Sequence, residues 1–181
     1  LDAKNGVLTY NVAGSWYDSD GITDDGVDAS TKIGAIRNAL DVYEDILGIN
    51  FVETTLTSAN DVDIAFGNET SGQAFANFNA DGKTTNGNAS GIISNAWINI
   101  AQNWTGNGTI GDYYFHTALH EIGHTLGLGH QGNYNAGQGS LTYGNQAQWQ
   151  NDTLQFTMMS YWAQSNYTPA GESTPSGAFL G

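Results

Sequence analysis

The sequence predicts an α+β domain, a sheet carrying its helices on one side. Two observations point there. Apolar residues alternate in short runs at VLTYNV (7–12) and VDIAFG (62–67), whereas Ile33, Ile36, Leu40, Tyr43 and Leu47 recur at three- and four-residue steps. The order is strand, helix, several strands, then a second helix, and a chain of that kind buries its apolar stripes by layering helices on the sheet.

Each element has its own signal. VLTYNV alternates cleanly and opens the sheet. The acidic segment DSDGITDDGVD (18–28) follows, and its carboxylates could hold Ca2+. Ile22 stands where an EF-hand loop needs its third oxygen ligand, however, and Thr23 where it needs glycine, so a solvated turn is the better reading. Ser30 reads as an N-cap, and Gly48 ends the helical periodicity. INFVETT (49–55) and VDIAFG read as strands, and the more polar QAFANF (73–78) as an edge strand. NADGKTTNGNASG (79–91) is turn chemistry throughout, and AWINIA (96–101) is the last strand signal.

Composition bounds what the chain can do. At 181 residues and 39% hydrophobic it supports one core. No apolar run reaches the roughly 18 residues of a membrane span. LDAKNGVLTY has no basic region before an apolar stretch, so no signal peptide is expected, which is compatible with a mature, processed protein and with an excised piece of a longer one. Eighteen acidic residues against four basic give a formal charge of −14, which repels nucleic acid and anionic membranes. With no cysteine, any metal must be held by histidine and carboxylate.

Metal chemistry concentrates in HEIGHTLGLGH (120–130), which holds three of the four histidines. Asp112 can cap a helix running to about Gly127. At about 100° per residue, Phe115, Ala118, Leu119, Ile122 and Leu126 form a core stripe, with His120 and His124 at about 140° and 180° from Phe115. Neighbours one turn apart let both imidazoles reach one ion, and Glu121 sits beside it as a general base. His116 lies one turn too early: about 12 Å of helix rise separates it from His124, so it is read as a surface residue or an outer support. If the helix stops at Gly127 in a left-handed conformation, His130 can return to the same ion as third ligand. TMMSYW (157–162) then places a methionine in a tight turn about thirty residues on, the partner expected of an extended HExxHxxGxxH motif.

HEIGHTLGLGH followed by MSYW resembles the metzincin metalloproteases, and within them the serralysins. VDIAFGN, QAFANF, GNYNAGQG (132–139) and LQFTMMSYW (154–162) match the serralysin catalytic module in order and spacing, over most of residues 7–162. The resemblance implies a mixed, mostly parallel, twisted five-stranded sheet with a backing helix and an active-site helix. It implies one Zn2+ on His120, His124 and His130, Glu121 as catalytic base and Met159 as the Met-turn residue. Tyr161 would be both a zinc ligand and a stabiliser of the oxyanion. Ala74, Phe75, Ala76 and Asn77 would form the edge strand that pairs with substrate.

Three departures qualify the likeness. Gln131 follows the third histidine where serralysins usually carry proline, the glycine-rich calcium repeats are absent, and 163–181 has no helical periodicity. One catalytic domain is expected over 1–181, with an upper subdomain 1–129 and a lower subdomain 130–181 that lacks the family's closing helix unless a separate C-terminal fragment supplies it. The expected function is a secreted, monomeric zinc endopeptidase acting on proteins or peptides. The alternative is a binding module that keeps the fold and its zinc without turnover.

Overall fold

The computed structural model describes residues 1, 3–12, 16–17, 23–24, 26–56, 61–68, 72–85, 88–106, 108–136 and 138–167. Contacts divide the chain into two compact units, Leu1–Gly127 and Leu128–Gly181.

The first unit holds the sheet. Its strands are β1 (Val7–Asn11), a small antiparallel pair β2 (Trp16–Tyr17) and β3 (Thr23–Asp24), then β4 (Asn50–Glu53), β5 (Ile64–Gly67), β6 (Ala74–Thr85) and β7 (Asn88–Ile100). Helix α1 spans Ser30–Leu47 and helix α2 spans Tyr113–Thr125. The main sheet has the order β4-β1-β5-β7-β6. β1 pairs parallel with β4 and β5, and β5 parallel with β7; only β6 runs antiparallel, on β7. This is the mixed, mostly parallel five-stranded α+β sheet expected. α1 packs on α2 and β4, and α2 on β6 and β7.

Burial follows position in the sheet. Central β5 is buried at every residue, as a strand covered on both faces must be, while edge strand β4 buries only Phe51. Leu8 and Tyr10 of β1 point inward, and Ile36, Leu40 and Tyr43 of α1 complete that side of the core. The Tyr43 hydroxyl donates to the Leu119 carbonyl at 2.9 Å and ties α1 to α2.

Several expectations need correction. Ser30 is the first helical residue and Ala29 the cap, because the Ala29 carbonyl already accepts from Ile33 N at 3.0 Å. Leu47, counted in the apolar stripe, is half-exposed at the last turn; Gly48 does end the helix, at φ 67°. The segment 79–91 is largely ladder: β6 continues to Thr85 and β7 begins at Asn88, with a register shift between Asn79 and Ala80. Turn-forming side chains did not prevent strand pairing there, since an antiparallel neighbour satisfies the backbone whatever the side chains prefer.

Unsuspected polar ties hold the first unit. Lys32 is 6% exposed, with its ammonium 2.9 Å from Asp28 Oδ1 and 2.6 Å from the Gln102 carbonyl. Arg37 donates twice to Glu53, at 2.8 and 2.9 Å, and the Tyr10 hydroxyl donates to the same carboxylate at 3.0 Å. Burial, and then the Glu53 bond, push the Tyr10 phenol up to about 12.

The second unit is mostly loop, with a short helix α3 (Tyr143–Gln146) and a 3-10 turn at Gln164–Asn166. Its interior is Tyr134, Asp152, Thr153, Met159, Ser160 and Trp162, all buried. Residues 168–181, where no closing helix was expected, lie outside the described residues.

Candidate metal centre

Helix α2 begins at a side-chain cap. Asp112 Oδ1 accepts from Phe115 N at 2.6 Å and Oδ2 from Gly108 N at 3.2 Å, so one carboxylate satisfies a donor of the first turn and fixes the preceding loop. The helix is less amphipathic than the wheel suggests. Phe115, Ala118, Leu119 and Ile122 are buried as expected, but so are Tyr114, Thr117, His120, Glu121, Gly123 and Thr125; Leu126 is only half-buried. α2 is thus a rigid internal post carrying chemistry on an enclosed side. It closes at Thr125, two residues earlier than expected, with Leu126 N reaching the Ile122 carbonyl at 3.1 Å. Gly127 then takes φ 97°, the left-handed conformation that glycine adopts most easily.

His120 and His124 face each other, with Nε2 atoms 3.1 Å apart and ring planes at 86°. Two nitrogens each about 2.0–2.1 Å from one tetrahedral ion stand roughly 3.4 Å apart, so the pair is already near the edge length of a zinc site. His130, in the second unit, offers a third imidazole. That donor set, three imidazoles and no thiolate, suits zinc. His116 is not in the group; it is half-buried, and burial lowers its pKa.

Glu121, between the two helical histidines in sequence, is 6% exposed, and burial raises its pKa to about 8. A divalent cation nearby would favour the carboxylate and oppose that rise.

His130 is held within the second unit. Its Nδ1 lies 2.8 Å from the Tyr134 carbonyl, and an acceptor there requires Nδ1 to carry the proton. Nε2 is left as the ring's lone-pair nitrogen. The Tyr134 ring stacks on the imidazole, centroids 5.2 Å apart and planes at 16°, and Tyr161 meets it edge-on at 4.5 Å. Tyr161 is 36% exposed, its hydroxyl 3.4 Å from Asn135 Oδ1. Met159 is 4% exposed in a turn where its N–H donates to Thr157 Oγ1 at 3.1 Å. Ala74, Phe75, Ala76 and Asn77 lie on β6, the outer strand of the sheet, opposite Ile100, Asn99, Ile98 and Trp97 of β7.

Sequence reasoning missed Tyr134 and Asp152. The Tyr134 hydroxyl donates to Asp152 Oδ1 at 2.8 Å, in a fully buried contact. A lone aspartate in a polar loop gives no sign of burial; GNYN just after the third histidine was the only available hint. Most of the acidic loop raised as a calcium candidate lies outside the described residues, and at its end Asp28 already pairs with Lys32 and accepts from Asn68.

Comparison with known proteins identifies the class. The chain matches the matrixin family of M10 peptidases over residues 4–157, and it belongs to that family. It is 38% identical over 130 residues to metallopeptidase AprA of Pseudomonas marginalis, covering 71% of this chain and 26% of that protein. Serralysin of Proteus mirabilis is 40% identical over 142 residues, with 70% and 27% covered. Serralysin G of Dickeya chrysanthemi is 33% identical over 172 residues, with 88% and 34% covered. The chain therefore spans about a quarter to a third of the length of these curated relatives. Among the described residues no helix is long and apolar enough to cross a membrane.

Proposed function

We propose that this chain is the catalytic portion of a secreted zinc endopeptidase that cleaves proteins or peptides, working as a monomer. The His120–His124 pair, its Nε2 atoms 3.1 Å apart, carries the reading, with His130 as the third ligand. These three side chains would hold the ion. Zinc, when bound, polarises the scissile carbonyl and makes water acidic enough to attack near neutral pH.

The remaining work belongs to the protein's own groups. Glu121 accepts the proton of the attacking water and delivers it to the leaving amine nitrogen, and no covalent intermediate is needed. Its burial keeps competing solvent from that proton. Tyr161 carries a phenol able to donate to negative charge developing on the carbonyl oxygen, and would also be a further zinc ligand. β6 offers its outer edge to an extended peptide, with Ala74, Phe75, Ala76 and Asn77 supplying main-chain partners. Met159 supports the site as the buried residue of its turn.

The test is Glu121→Gln. The variant should bind one zinc per chain, melt as the parent does, and lose about 10²–10⁴-fold in peptide cleavage. Cleavage at the parental rate would remove Glu121 as the base. A parent that holds zinc yet cleaves no peptide would instead make the chain a binding module.

A further inference from the structure

His130 differs from the other two histidines in what holds it. His120 and His124 ride on a helix, whereas His130 sits in irregular chain three residues past Gly127. Irregular chain fixes a side chain poorly unless something else does, and a metal ligand must be held to within about 0.5 Å. Two parts of one residue hold this ring. The Tyr134 carbonyl takes the Nδ1 proton at 2.8 Å and its phenol ring lies flat against the imidazole. His130 is thereby aimed in part by Tyr134, with Tyr161 meeting the ring edge-on at 4.5 Å.

Tyr134 is placed by Asp152. The tyrosine is 3% exposed, and its hydroxyl donates to a carboxylate that is itself 0% exposed, eighteen residues on. Burying a carboxylate is expensive, and phenylalanine against an apolar residue would fill the space without that cost. Packing alone therefore does not account for the pair. A hydrogen bond gives what packing lacks, a single allowed rotation and depth for the ring. Trp162, whose ring lies 5.3 Å from that of Tyr134, walls the same pocket, and its backbone is clipped to Leu154 at 2.9 Å, two residues from Asp152.

We infer that Asp152 is a positioning residue for the His130 metal ligand, acting through the side chain of Tyr134. The inference rests on the reading of His130 as a ligand, and all of its contacts lie within residues 128–181. Asp152 is not one of the three candidate ligands. Its effect is to keep the His130 ring in one orientation before any ion arrives.

The experiment measures zinc affinity by competition with a chromophoric chelator on folded protein at fixed pH and temperature, together with the melting temperature of each metal-free variant. Tyr134→Phe removes only the hydroxyl and should weaken zinc by about 10–100-fold. Asp152→Asn keeps an acceptor oxygen in place and should stay within about threefold of the parent. In a His130→Ala background, already weakened, Tyr134→Phe should have no further effect. The inference is overturned if Tyr134→Phe lowers the melting temperature but binds zinc as the parent does, since the pair would then be structural only. It is equally overturned if Tyr134→Phe weakens zinc by the same factor with and without His130. His130→Ala binding zinc as tightly as the parent would be a different failure, that of His130 as a ligand. Asp152→Leu removes the acceptor and should weaken zinc as Tyr134→Phe does, and should it fail to fold, Tyr134→Phe still decides.

Discussion

Replacing Asp112 by alanine isolates the contribution of the α2 cap. Asp112 accepts from Phe115 N at 2.6 Å and from Gly108 N at 3.2 Å, and both bonds vanish in Asp112→Ala. Loss of an N-cap costs about 1 kcal/mol, loss of a carboxylate at the positive end of a helix about 0.3–1 kcal/mol, and loss of the loop bond about 0.5–1 kcal/mol. The sum is about 2 kcal/mol, or a fall of roughly 4–8 °C in melting temperature for a chain of this length. Asp112→Asn keeps the acceptor, loses the charge, and should fall by no more than about half as much. Thermal melts followed by circular dichroism measure both. Zinc affinity should stay within about twofold, because His120 begins about 12 Å further along the helix axis. A melting temperature unchanged in Asp112→Ala would refute the capping argument. A tenfold loss of zinc affinity would refute the picture of α2 as a rigid support.

Two further expectations follow from the same geometry. Gly127→Ala meets no neighbouring atom within 4 Å, so its cost is the backbone strain of a side chain at φ 97°, about 1–2 kcal/mol, visible as a lower urea midpoint. An unchanged midpoint would mean that the turn accommodates alanine by another route. Glu53 is held below the usual carboxylate value of 4.5 chiefly by the hydrogen bonds from Arg37. A depressed folded-state pKa gives stability that is present above the unfolded value and is lost as pH falls through the folded one. Glu53→Gln should therefore be less stable than the parent at pH 7, by no more than about 1 kcal/mol because Arg37 is half-exposed, and the difference should close below about pH 4.5. Parallel denaturation curves at pH 7 and pH 3 that keep the same gap would contradict this.

What could be seen in the sequence was whatever repeats with a period or carries a rare residue type. The α1 stripe at Ile36, Leu40 and Tyr43, the alternation in VLTYNV and VDIAFG, and the three histidines of the HExxH segment are of that kind, and they place the sheet, α1 and α2. The long β6–β7 hairpin was hidden because its pairing depends on a partner strand, while its side chains advertise turns. The dipeptide Asn86-Gly87, a strong hairpin signal, was there to be used. Lys32 was hidden for a different reason: a cation inside a helix reads as surface, and its burial is made tolerable by Asp28, by the Gln102 carbonyl brought from 70 residues away, and by the Tyr114 ring 5.8 Å off. Asp152 and Tyr134 belong to the same class. Buried polar pairs leave no periodic trace, since each member is legible only once its partner is known.

The near-complete burial of α2 bears on which lengths of chain the fold can tolerate. Removing or adding one residue between His120 and His124 would rotate everything after it by about 100°. One such event before Ile122 would turn Ile122 out of the core as it turned His124 out of line with His120, so no compensating substitution at a single position could restore both. Beyond Gly127 the chain is irregular and free of that phase. Tolerated insertions and deletions should accordingly stop short of Asp112 and resume only after the left-handed glycine, leaving this helix the segment whose length is most tightly fixed.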